Sequence, residues 1–208
     1  MREIHKDQEP HHLTEHRTSQ YCDYYNYPYK DDLRSALVNE QGSLCCYCMG
    51  RIKADPLKMK IEHWKCREDF PTEQLNYKNL LGACLGNQGL PPNMQHCDTR
   101  KGRAMLLYNP ADPTHHIESR IRYLENGEIL SNESTFNDQL NDVLNLNLPI
   151  LKNGRKSVVI AMADWLKRQS QPVPRQVIEI EIFRLKNQAG KLNPYSQVAI
   201  WWLSEQLR

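Results

Sequence analysis

The sequence has no apolar run approaching the roughly twenty residues that span a bilayer. Its mean hydropathy is −0.73, which with that absence excludes a transmembrane helix, and no membrane partner is expected. The opening stretch MREIHKDQEPHHLTEHR contains no apolar core, so a secretory leader is not expected and the cytoplasm is the expected compartment. An excess of one charge is also lacking: 27 Lys and Arg face 25 Asp and Glu, for a net charge of +2. Such a balance neither demands nor excludes nucleic acid, because local clusters decide phosphate binding. There is no internal repeat and no low-complexity tract. At 208 residues the chain is long enough for one large or two small domains whose core needs no disulfide staples.

Cysteine, by contrast, is present and clustered. Seven occur, at 22, 45, 46, 48, 66, 84 and 97. An odd number of thiols in a reducing compartment suggests metal before disulfide. Cys45 and Cys48 form a C-x-x-C knuckle suited to a tetrahedral thiolate-bound ion. Cys84 and Cys97 are the candidates for the second pair, separated by twelve residues, LGNQGLPPNMQH in the order of the chain after Cys84, where the two Gly and two Pro allow the segment to loop out. Four thiolates in a redox-quiet site favour structural Zn²⁺. Buried free thiols are the plainer alternative. His96 is a substitute ligand if Cys84 lies out of reach, and Cys22, Cys46 and Cys66 receive no role.

Three regions follow from the pattern along the chain. Residues 1–30 read as a polar arm carrying four of the eight histidines and ending in YCDYYNYPY, which holds five of the ten tyrosines. Those rings suit base stacking or packing against the body or a partner. Residues 31–130 hold a helix over 31–42, short extended segments, and a hairpin over 116–130 turning at Asn126-Gly127. Residues 131–208 are mainly helical, with one stripe of Phe136, Leu140, Val143 and Leu144 and another of Val158, Met162, Trp165 and Leu166. RQVIEIEIFRLKN fits strand or helix by its isoleucines, and Pro174 before it favours a helix start.

The chemistry is concentrated in KIEHWKC, residues 60–66. Phosphodiester hydrolysis needs a base to activate water and a cation to hold the scissile phosphate. His63 can serve as base near neutral pH, and Glu62 can bind Mg²⁺, which takes few protein ligands, usually carboxylates. On an extended segment the two side chains diverge. Framed by C-x-x-C, then IEHW, then Asn79-Leu80, then Cys84 and CDTRKG, the pair resembles the HNH endonucleases. The resemblance implies an α+β fold: a zinc-stapled ββα-metal (HNH) nuclease unit with a mainly helical C-terminal region.

Residue by residue, the resemblance makes His63 the general base, Glu62 a ligand of catalytic Mg²⁺ or Mn²⁺, Asn79 the brace that orients the histidine, and Asp98 the ligand on the helix. Lys101 matches a common basic position. Asp98 stands where many members have His or Asn, and the second cysteine pair is stretched. Arg100, Lys101 and Arg103 offer either a phosphate grip on nucleic acid or a solvated basic face.

EQGSLCCYCMGRI, MKIEHWKCRE, NLLGACLGN, HCDTRKG, IRYLENGEI and VLNLNLPILKNGRK occur in order. Together they resemble the HNH subunit of Septu-type and retron-associated anti-phage defence systems over nearly the whole chain. That implies a nuclease effector, with DNA the favoured target, in a hetero-oligomer with an ABC/SMC-like ATPase. Residues 131–208 are then expected to dock that ATPase, with Trp201 or Trp202 as an outward anchor unless the core surrounds their helix. Two other classes stand beside this one: a non-catalytic zinc module that binds nucleic acid or a partner, and a purely structural zinc subunit.

Overall fold

Seven α-helices and two pairs of short antiparallel strands form a mixed α+β architecture in the computed structural model, which describes residues 1–208. Helices α1 (His11–Arg17) and α2 (Lys30–Glu40) precede strands β1 (Lys60–His63) and β2 (Leu80–Ala83), followed by the short α3 (Cys97–Lys101). A second strand pair, β3 (Arg122–Tyr123) and β4 (Ile129–Leu130), leads into α4 (Ser134–Asp138), prolonged by a π-helical turn, Gln139–Val143. Three helices complete the chain: α5 (Pro149–Lys167), α6 (Arg175–Lys186) and α7 (Ser196–Glu205). No helix is long and apolar enough to cross a membrane.

The local rules account for most boundaries. Helix α2 buries Leu33, Leu37 and Val38 on one face and carries Asp31 and Asp32 in its first turn, where carboxylates complement the helix dipole. Helix α5 opens on Pro149, whose missing N–H costs nothing at that position. The ambiguous isoleucine segment is helix: Ile178 and Leu185 of α6 are buried while Ile180 points outward, as a period of 3.6 requires. The β3–β4 hairpin turns at Asn126-Gly127 and is shorter than the sequence pattern suggests, because residues Ile117–Arg120 form a 3-10 turn instead of strand. Gly127 takes φ 85°, and a Cβ there would meet the Lys152 carbonyl at 2.0 Å, so the turn can press directly onto α5.

The first thirty residues are not a free arm. Met1 and Ile4 lie in the main core, and the Ile4 amide donates to Pro110 O at 2.8 Å. Leu13 of α1 joins a second cluster with Tyr27, Leu33, Leu37 and Leu80. A few apolar anchors in a polar stretch suffice, and composition conceals them. At the other end, α7 is surrounded: Trp202 is buried, and Trp201 packs its edge against Tyr123 with ring centres 5.9 Å apart. The expectation of an outward indole is therefore corrected, since α5, α6 and β3 all pack around this helix. The outward apolar groups of the C-terminal helices are Ile180 and Phe183 on α6, each 68% exposed, and Ile150 and Ile160 on α5. One core runs from Met1 to Leu203 and draws on all three sequence regions.

Candidate metal centre and active-site cleft

The four cysteines of the expected zinc set converge, with all four sulfurs within 4.8 Å of one another. Cys45 and Cys97 stand 3.8 Å apart, as do Cys48 and Cys84. Four sulfurs about 2.3 Å from a tetrahedral zinc lie about 3.8 Å apart along each edge, so the donor set and spacing fit Zn²⁺. The first pair sits on a tight knuckle: the Cys45 amide donates to Gly50 O at 2.8 Å, Met49 takes φ 62°, and the Gly50 amide donates to Cys48 Sγ at 3.3 Å.

The stretched second pair closes because its loop is pinched at the neck. The His96 amide donates to Gly86 O at 3.0 Å, and Thr99 Oγ1 donates to Leu85 O at 2.8 Å. Gly86, at φ 55°, is required there, since a Cβ would stand 2.1 Å from His96 O. His96 lies outside the sulfur tetrahedron, with Nδ1 3.1 Å from Cys97 Sγ, where it serves as a hydrogen-bond partner and not as a ligand. Burial opposes charge at Cys45, Cys84 and Cys97. Even so, hydrogen bonds from the neighbouring thiols draw Cys45 well below the usual range, while those same contacts push Cys84 up and burial pushes Cys97 up. A divalent cation bound among the four sulfurs would favour their thiolate forms. Cys22, Cys46 and Cys66 are outside the cluster.

Strand β1 pairs with β2 in antiparallel register, Glu62 opposite Leu81 and His63 opposite Leu80. All four β1 residues line a cleft of about 380 Å³, together with Asp98 from α3. Glu62 is 3% exposed, and its Oε1 accepts from the Tyr47 hydroxyl at 2.7 Å and from Lys101 Nζ at 2.9 Å. Asp98 pairs with Lys60 Nζ at 3.3 Å. Burial and the adjacent Asp98 carboxylate push Glu62 well above the usual carboxylate range. Asp98, against the effect of burial, is held below it by the Glu62 hydrogen bond and by Lys60. Two neighbouring carboxylates at a cleft are a fitting ligand pair for a hard divalent cation.

His63 follows Glu62 on β1 and lines the same cleft. Its Nε2 lies 3.0 Å from Gln74 O, and a carbonyl can only accept, so Nε2 carries the proton and Nδ1 keeps the lone pair. Burial lowers its pKa to about 4, against the partial support of that carbonyl, so at physiological pH the ring is neutral with its Nδ1 lone pair free. Asn79 is buried at the foot of β2 and closes the intervening loop: Oδ1 accepts from the Lys65 amide at 2.7 Å, and Nδ2 donates to Lys65 O at 3.0 Å and Glu73 O at 3.1 Å. Gln74, which follows Glu73, is thereby held against His63.

The basic trio behaves differently from the phosphate grip read in the sequence. Lys101 has no exposed side-chain surface and is committed to Glu62. Arg100 donates to the carbonyls of Asp142 and Pro92, at 3.2 and 3.1 Å. Arg103 is exposed and pairs with Asp69. A basic run on one turn of helix points in several directions, and only the packing says which. The cations that line the cleft are Arg34, Lys60 and Arg67. Sequence reasoning missed Arg67 although it lies four residues past His63, and missed Tyr47 although it sits inside the C-x-x-C.

No family model matches the chain. The Septu protein PtuB of Bacillus thuringiensis is 27% identical over 124 residues, an alignment covering 57% of this chain and 42% of that protein. The matched part therefore spans less than half the length of the curated relative. The chain is similar to a Septu-type protein, as its motifs imply.

Proposed function

We propose that the chain is a zinc-stapled, HNH-type endonuclease that hydrolyses phosphodiester bonds, DNA being the favoured target, within an anti-phage defence system. One observation carries the reading: a neutral, buried His63 with a fixed tautomer shares a cleft with the coupled carboxylates Glu62 and Asp98. The order β1, β2, α3, with Cys84 just after β2 and Cys97 opening α3, supports an HNH-type ββα unit.

In this reading Cys45, Cys48, Cys84 and Cys97 hold Zn²⁺, and Glu62 and Asp98 hold Mg²⁺ or Mn²⁺. The bound divalent cation would supply charge stabilisation to the scissile phosphate and the departing oxygen. His63 Nδ1 accepts a proton from water as the water oxygen attacks phosphorus, while Gln74 O stabilises the imidazolium through Nε2–H. Asn79 fixes the loop that carries Gln74. Arg34, Lys60 and Arg67 neutralise the backbone phosphates along the cleft. Similarity to a Septu protein supports a defence role, and for the ATPase that the sequence motifs imply, the outward apolar groups of α6, Ile180 and Phe183, offer the docking face.

The test is plasmid cleavage in Mg²⁺ by the full chain, alone and with its ATPase. His63→Ala should lose on the order of 10²–10⁴ in rate while retaining zinc and its melting temperature. Unchanged cutting by that variant refutes the mechanism. Zinc-loaded wild-type protein that binds nucleic acid without cutting would favour the non-catalytic module.

A further inference from the structure

The tyrosine-rich turn before α2 reaches the cleft directly. Tyr24 lines it, and its ring meets His63 edge-on with centres 4.5 Å apart. The guanidinium of Arg67, itself a cleft residue, lies 4.8 Å from the centre of the Tyr24 ring and 4.7 Å from that of Tyr25. Tyr25 is 71% exposed, so its ring retains a free surface at the rim. A large aromatic ring left in water beside a cleft lined by Arg34, Lys60 and Arg67 as well as Glu62, Glu68 and Asp98 is not needed by the core, which is complete without it.

The turn is also rigid. Asp23 and Asn26 exchange side-chain-to-amide hydrogen bonds at 2.7 and 3.0 Å, Lys30 Nζ donates to Tyr25 O at 3.0 Å, and the Tyr24 amide donates to Gln74 Oε1 at 3.1 Å. Gln74 is the residue whose carbonyl orients His63. The aromatic rim and the base are therefore held by the same side chain and main chain, and the ordering cost of presenting Tyr25 is already met in the free protein.

We infer that Tyr25, backed by Arg67 and Tyr24, is a stacking platform for unpaired bases, so that the cleft takes single-stranded nucleic acid in preference to duplex. This rests on the nuclease reading above for its ligand class. Stacking on exposed aromatics is tolerant of sequence and needs a free base face, which a paired and stacked duplex does not present along its length. Arg34, Lys60 and Arg67 provide the backbone charge that such a strand needs beside the rings.

The test uses the full chain without added divalent cation, so that no strand is cut. Fluorescence anisotropy at fixed salt compares a short fluorescein-labelled oligodeoxyadenylate with the blunt duplex it forms with its complement. Wild type should bind the single strand more tightly. Tyr25→Ala should weaken that binding about tenfold or more and leave the duplex value unchanged, whereas Tyr25→Phe should bind as wild type does. All three proteins should melt together, since the ring is outside the core. Equal single-strand binding by Tyr25→Ala, or tighter binding of the duplex by wild type, overturns the platform while leaving the nuclease reading standing. Binding of neither polymer overturns both.

Discussion

Replacing Lys101 by Met separates a buried ion pair from a phosphate grip. At the observed 2.9 Å, the attraction between unit charges is roughly 6 kcal/mol at an effective dielectric of about 20, and desolvating both ions offsets most of it. Removing one partner leaves the other uncompensated, which typically costs ~3–5 kcal/mol. Glu62 has two escapes: it takes up a proton readily, since its pKa is already raised, and it keeps the Tyr47 hydroxyl. The loss should therefore fall near 3 kcal/mol, a drop in melting temperature of about 10 °C for a chain of this size. Differential scanning fluorimetry of zinc-loaded protein measures it. Combining Lys101→Met with Glu62→Gln should recover most of the loss, because no unpaired charge remains. A Lys101→Met protein that melts with wild type but binds nucleic acid more weakly would refute the ion-pair assignment.

Two further perturbations probe the zinc and the shared core. Chelation should melt the fold cooperatively, and Cys48→Ser should yield protein without stoichiometric zinc, because binding at a structural site is folding free energy; metal analysis of a soluble, folded Cys48→Ser protein at full zinc content would overturn the ligand set. A chain ending at 130 should not fold, since it removes Leu192 from Gly42, Trp201 from Tyr123 and the Leu144 carbonyl from the Cys97 amide (2.9 Å). A cooperative, zinc-loaded melt of that fragment would show residues 1–130 to fold independently.

The spacing of Cys45 and Cys48 was legible in the sequence because a knuckle is a local shape, and helix α6 was legible because Pro174 and its isoleucines act locally. The closure of Cys84 onto Cys97 depends on the Gly86–His96 neck, which spacing alone suggests and packing completes. Lys101 shows the opposite limit. Its neighbours Arg100 and Arg103 share its charge, but only the tertiary position of Glu62 and Tyr47 turns it inward. Met1 and Ile4 were hidden for a related reason: two anchors set in a polar stretch carry no periodicity. Gln74, the partner of His63 through its carbonyl, leaves no mark in the sequence, because any residue type supplies a carbonyl.

The neck beneath the loop from Cys84 to Cys97 also confers tolerance. Residues 88–94 are exposed, and Gly89 at φ 91° has nothing within 4 Å of where a Cβ would stand. With Gly86 and His96 closing the ring below, the sulfurs do not sense what lies above, and doubling the length of a flexible loop costs only about 0.6 kcal/mol. The junction of Gly89 and Leu90 is thus a place where the chain can accept foreign sequence, a reporter or a whole domain, as a peninsula on an otherwise closed metal centre.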